Sequence, residues 1–379
     1  MSLKLKTKYK LVETEMLERI FLLQNPSNMR RCNDHMIDQL IDMAPDNVTV
    51  VRSRGSVLMR KGKARGKHPH FLAHLDQVHD YAPFMELAVE HDKHDRELLC
   101  AYDANDHECG VGGDDKCGIY LAMIMLHKLP HVTVVFVRDE EVGCEGSSEV
   151  PLSWFKHASF VIQSDRNNHT MDIISDTNGM KCASDSFMES MLALPTAVEA
   201  GHSENTGSIT DIGELASRGL NVSMVNISSG YHNAHTPSEF VDLYELDVSI
   251  RLAYDAATTL GDRKWENHPT STWKSYSRKA SRWSSPSYSL DQLPSESPVQ
   301  NALFKLDNQE EDYSPSDDYP FSNHESYSRE ETIVGLEEFG YDRIFDGLDT
   351  FDDKELEDCV ATLGYQIRIA RNPNTNTNN

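Results

Sequence analysis

The chain has 379 residues and a formal net charge of -25, from 61 Asp and Glu against 36 Lys and Arg. That length can bury a sizeable core, as one large domain plus an appendage. So acidic a balance argues against a nucleic-acid binder and against a binder of anionic membranes, leaving small molecules, peptides and metals as the expected partners.

In chain order, the N-terminal run MSLKLKTKYKLVETEMLERIFLL starts basic, but acidic residues break its apolar stretch. It reads as an amphipathic helix and not as a signal peptide. No later stretch approaches the roughly 20 apolar residues that cross a bilayer, so no membrane partner is expected. Residues 12–44 read as two helices. Asn47 to Gly62 reads as a hairpin with Gly55 near its turn. His70 to Asp76 (HFLAHLD) and Arg96 to Asp103 (RELLCAYD) read as strands ending in polar residues. The glycine-rich CGVGGDDKCG (Cys109 to Gly118) leads into an apolar helix, IYLAMIMLHKL. VTVVFVR and SFVIQSD (Ser159 to Asp165) are strands. Ser184 to Pro195 and Thr210 to Gly219 are helices, Leu220 to Ser228 is a strand, and Ser238 to Gly261 is a long amphipathic helix capped by Ser238. Strands alternating with helices predict an α/β fold, a mixed central β-sheet flanked by helices.

The character of the chain changes near Asp262. Residues 263–330 are rich in Ser, Pro, Tyr and charge and predict a disordered linker. Residues 331–373 regain periodicity and predict a small helical segment, which could recruit an unidentified protein. The catalytic body is expected over 1–262. The seven cysteines, Cys32, Cys100, Cys109, Cys117, Cys144, Cys182 and Cys359, are odd in number and form no CxxC. They predict reduced thiols in a cytoplasmic setting and no cysteine zinc site.

Five polar clusters fall where strands end, which is where open α/β sheets bind ligands. They are His74 with Asp76, Asp114 with Asp115, Glu140 with Glu141, Asp165 alone, and His232, His235 and Glu239 together. Asp139, Glu140 and Glu141 close the strand VTVVFVR, and their mutual repulsion asks for positive charge nearby. Two divalent cations would supply it. A pair of metals needs a bridging carboxylate and terminal ligands on each side. Asp114 could bridge, with His74 on one metal, His235 on the other, and Glu141 and Asp165 completing the terminal positions. Asp76, two residues beyond His74 on the same strand face, could accept the imidazole N–H. Glu140 would be free to take a proton from activated water.

The ordered set HxD, GxDDKxG, DEExG, a strand-end Asp and a late His followed by xxxE resembles the di-zinc exopeptidases of the MH clan. These include peptidase T, the carboxypeptidase G and dipeptidase group, and the co-catalytic zinc aminopeptidases. GGDDKCG and DEEVG are most similar to peptidase T, whereas HTPSEFVD and TDIGEL are more similar to the aminopeptidase branches. The resemblance covers about His70 to Gly261. It implies His74, Asp114, Glu141, Asp165 and His235 as metal ligands, Asp114 and not Asp115 as the bridge, Glu140 as general base and Asp76 as the partner of His74. It also implies zinc, with cobalt and manganese chemically suited to the same N/O donors, and hydrolysis of a terminal amide bond of a peptide.

Lid-bearing members carry an extra domain between the ligand Asp and the final His, but here only 69 residues separate Asp165 from His235. A lidless, monomeric, aminopeptidase-like chain is expected. Arg166, Asp211 and His232 are lesser candidates for substrate contact. Each has a plainer reading: a solvated arginine, a helix cap and a loop histidine. Cys109, Cys117 and Cys144 read as packing residues, and His68, His70 and His79 as surface residues. Two other readings stay open: hydrolysis of N-acyl amino acids, and a metal-binding or interaction protein that kept the fold without catalysis.

Overall fold

The computed structural model describes residues 3–5, 9–62, 66–167, 171–268 and the pairs 326–327 and 368–369. Helices α1 (Thr14–Leu22) and α2 (Arg30–Asp42) precede the hairpin β1 (Val48–Ser53) and β2 (Ser56–Lys61). Then come β3 (His68–His74), β4 (Glu86–His91), β5 (Glu97–Tyr102), α3 (Gly113–Lys128) and β6 (Val132–Val137). After these come α4 (Glu145–Glu149), a short 3-10 turn (Leu152–Phe155), β7 (Ala158–Arg166), β8 (Asp172–Thr177) and β9 (Met180–Lys181). The chain continues through α5 (Asp185–Leu192), α6 (Pro195–Ala200), β10 (Ser203–Gly207), α7 (Asp211–Ser217), β11 (Met224–Ser228), β12 (Tyr231–His232), β13 (Phe240–Asp242) and α8 (Leu243–Leu260).

The hairpin closes with Ser53 opposite Ser56, so Arg54 and Gly55 are its two turn residues, and both have positive φ (49° and 75°). That is the backbone twist a two-residue hairpin needs. Its second strand joins a nine-stranded mixed sheet in the order β1-β2-β6-β3-β7-β11-β8-β10, with β9 paired to β8. The central strands β6, β3, β7 and β11 run parallel to one another. β3 and β6 are buried along their whole length, which is why they read as unbroken apolar runs. Alternate residues feed separate cores. Phe71, Ala73, Val134 and Phe136 pack with α1, α2, α3 and α8 on one face. Leu72, Val135 and Val137 pack with Ile212 and Leu215 of α7 on the other. α3 is buried from Gly113 through Leu126 apart from Asp114 and is the central helix of the larger core.

A second sheet, β12-β13-β5-β4, covers the start of α3. It alters one expected element. Ser238 does not cap a helix, because Phe240–Asp242 is a strand whose Val241 pairs with Leu99, and α8 begins only at Leu243. Asp242 is the cap, its carboxylate accepting the N–H groups of Tyr244 and Glu245. β4, β8 and β10 and the helix α6 also form, and the sequence reading had left all of them unassigned.

The chain divides into two units, Met1–Ser277 and Arg278–Asn379. The body extends past 262: Trp265 is buried, donates its indole N–H to the Leu260 carbonyl, and exchanges main-chain bonds with Ser159 and Ser223. The rest of the expected linker and helical segment lies outside the described residues, except that Ser326–Tyr327 pairs in parallel with Arg368–Ile369. No helix among the described residues is long and apolar enough to cross a membrane.

Candidate metal centre

The carboxyl ends of β3, β6 and β7 bring His74, the Glu140–Glu141 turn and Asp165 together, and the start of α3 adds Asp114. Each is held from behind. Asp76 accepts the N–H groups of Glu140 at 2.8 Å and Glu141 at 3.3 Å and the Ser27 hydroxyl at 2.7 Å, so it shapes the acidic turn. It also faces His74: the Asp76 carbonyl lies 2.9 Å from His74 Nδ1 and the Asp76 carboxylate 3.4 Å. Asp139, the third acid of the run, turns away to Arg138 and the Asn28 N–H.

Asp114 lies between the two histidines. Its Oδ1 is 3.0 Å from His74 Nε2, and its Oδ2 is 3.2 Å from His235 Nε2. On the first side Asp165 Oδ1 approaches His74 Nε2 at 3.7 Å. On the second, Glu141 Oε1 approaches His235 Nε2 at 3.1 Å. Asp115, joined to Asp114 by a cis peptide bond, has one oxygen on the His74 N–H and the other on the Gly118 N–H, so it ties α3 to β3.

The electrostatics show what this cluster lacks. Burial lowers the His74 imidazole, but Asp114, Asp165 and Asp76 overcome it and hold the ring well above its usual range. Asp114 and Glu141 push His235 up to about 10. Burial pushes Asp165 up to about 8, with Asp114 adding to it, and pushes Glu140 up to about 9 against the opposing pull of His74. No Lys or Arg among the described residues answers the cluster. The Lys116 ammonium faces the Phe21 and Val111 carbonyls, and Arg166 lies 3.5 Å from Asp172. Imidazole and carboxylate donors fit a divalent metal: His74, Asp115 and Asp165 offer ligand atoms within 4.8 Å of one another, and so do His74, Asp114 and Glu141.

Some expected contacts are placed elsewhere. Asp211 is fully buried at the first turn of α7, with Thr210 as the cap residue. His232 is 2.6 Å from Glu245 and stacks on Phe240, so its ring is taken up by the second sheet. Four residues take roles that the sequence reading does not assign to them. Glu239 accepts the N–H groups of Gly112 and Asp114, each at 3.0 Å, and pairs with His79, so it fixes the loop that carries Asp114. The Tyr231 hydroxyl donates to Asp165 at 3.2 Å. The Cys144 thiol approaches Glu140 at 3.5 Å. Gly113 has to be glycine, because a Cβ there would lie 2.5 Å from Tyr231. His79 is thus part of the site and no surface residue. His68 and His70 are buried too.

No protein-family profile matches the chain, and no curated protein matches it by sequence. Solved structures do. A tripeptidase from Staphylococcus aureus is 12% identical over 66% of this chain and 100% of its own, with a TM-score of 0.50. A TET aminopeptidase from a marine-sediment Thaumarchaeota archaeon is 11% identical over 65% of this chain and 96% of its own, also with a TM-score of 0.50. The chain has the fold of these peptidases. It is the fold that the resemblance to the di-zinc exopeptidases implied. The TET1 peptidase of Pyrococcus horikoshii, described as assembling into a tetrahedron or a large octahedral shell, is 12% identical over 64% of this chain and 98% of its own, with a TM-score of 0.47.

Proposed function

We propose that the chain is a metal-dependent exopeptidase, an aminopeptidase acting on short peptides. One observation carries the reading: the two oxygens of Asp114 face different histidines, and each histidine has its own further carboxylate. His74, Asp114 and Asp165 would hold one divalent cation, and His235, Asp114 and Glu141 the other. Zinc is the metal that the resemblance implies. When bound, such cations polarise a carbonyl and bring the pKa of water down to about 7. Glu140, buried beside Glu141 and not among the proposed ligands, would take a proton from that water and pass it to the departing amine. Asp76 holds the Glu140 main chain, which sets the reach of its carboxylate. The acidity of the cluster, with the Lys116 ammonium turned to the Phe21 and Val111 carbonyls, supports recognition of a substrate's ammonium end over its carboxylate end.

The test pairs metal analysis with turnover. The protein loaded with zinc should hydrolyse a leucyl anilide and leave N-acetyl amino acids intact. Glu140→Gln should lower kcat by about 100-fold or more with unchanged metal content. Metal bound without turnover on any peptide favours the binding-protein reading, and turnover only of the N-acetyl compounds favours the amidohydrolase. A cytoplasmic setting is proposed on the odd number of cysteines and their loose spacing in the sequence. For the oligomeric state, the sequence favours a monomer while the TET1 peptidase of similar fold assembles into shells. Light scattering at several protein concentrations decides between them.

A further inference from the structure

Asp165 is held by more than its strand. Asn226 on β11 clasps its main chain: the amide Nδ2 donates to the Asp165 carbonyl at 2.9 Å, and Oδ1 accepts the Asp165 N–H at 2.8 Å. The clasp sits where the β7–β11 register shifts and supplies bonds that the irregular ladder omits. The side chain is held by Gln163, two residues earlier on the same face of β7. Gln163 Nε2 donates to Asp165 Oδ2 at 3.0 Å and to Asp211 Oδ2 at 3.3 Å. Its Oε1 accepts the Thr210 hydroxyl at 2.8 Å and the Ile212 N–H at 3.3 Å.

An amide can be turned either way, but these partners leave one choice. The Ile212 main-chain N–H can only donate, so the atom that faces it is the amide oxygen, and the amide nitrogen is turned to Asp165 and Asp211. Gln163 and Asp211 are both fully buried, so neither meets a substrate. With Oδ2 taken by Gln163, Asp165 turns Oδ1 toward His74 and the Tyr231 hydroxyl. No described hydrogen bond links Gln163, Thr210 or Asp211 to Glu141 or His235.

We infer that Gln163, oriented by Thr210 and Asp211, is the positioning residue that turns Asp165 toward His74. It builds the His74–Asp165 half of the centre and leaves the Glu141–His235 half alone. The inference rests on the two-cation reading above and assigns Asp211 to the support of a ligand instead of to substrate contact.

The test is zinc titration of the chelator-stripped full chain by calorimetry, with bound metal counted after gel filtration. The wild type should take two equivalents. Gln163→Leu and Thr210→Val should keep one with unchanged affinity and bind the second about 10- to 100-fold more weakly, the usual effect of losing a group that orients a ligand. Circular dichroism checks folding. If Gln163→Leu does not fold, Thr210→Val, which keeps the side-chain shape, carries the test. Two unchanged sites in the folded variants overturn the inference, and so does equal weakening of both sites, which marks a merely structural role. A wild type that takes up no zinc removes the two-cation reading and this inference with it. A wild type with two sites confirms that reading whatever the variants do.

Discussion

At the scale of single residues, burial decides what each polar group can be. His74 and His70 lie four residues apart on one strand and both are fully buried, yet they take opposite directions. Three carboxylates face His74 and hold its proton. Burial, with His68 beside it, pushes His70 down to about 3. Burial likewise pushes His68 down to about 4, with His157 adding to it. An imidazole whose folded pKa is depressed stabilises the fold above its unfolded pKa of 6.5, and that stability is lost as pH falls, because the unfolded chain then binds more protons. The His70 contribution to stability should therefore fall by on the order of 3 kcal/mol between about pH 6.5 and 4, while in the metal-free protein Glu140 and Asp165, which hold protons in the folded state over the same range, act in the opposite direction. Urea denaturation of wild type and His70→Asn across that range should show the stability of the wild type relative to the variant falling as pH falls. The sequence named the acids and histidines of the site but treated His68, His70 and His79 as surface residues. Histidine occurs both inside and outside proteins, and nothing local shows which way it faces.

At the scale of elements, the site depends on how segments start and stop. Runs such as VTVVFV and HFLAH were legible as strands because both faces of each are buried. The end of the chain's body was harder. SEFVDLYELDVSIRL has helical spacing throughout, and only pairing of Val241 with Leu99 turns its first part into a strand. That moves the helix start to Asp242, a fully buried cap that also pairs with Arg96 at 2.7 Å. Asp242→Ala should lower stability by about 1–2 kcal/mol in urea titration, whereas Ser238→Ala should cost little. A larger loss from Ser238→Ala would restore the longer helix. Gly146 is a second constraint. A Cβ there would lie 2.5 Å from the Arg138 carbonyl, so α4 can pack against the end of β6 only with glycine.

At the scale of the whole molecule, the centre collects acids that repel one another, and bound cations would relieve that repulsion. Zinc should therefore stabilise the native state by mass action, by about 2.7 kcal/mol per site at 100 times Kd. Excess EDTA should reverse the gain. A melting temperature unmoved by zinc would argue against a metal centre. What the sequence alone determined was the alternation of strands and helices and the order of the acidic and histidine motifs. Both follow from local periodicity and residue chemistry, which survive without knowledge of the fold. The tertiary structure alone decided that Asp76 shapes the acidic turn. It also decided that Glu239, Gln163 and Tyr231 hold the ligands from behind. Those contacts join residues up to 160 positions apart, and no local pattern encodes which distant side chain arrives at a strand's end.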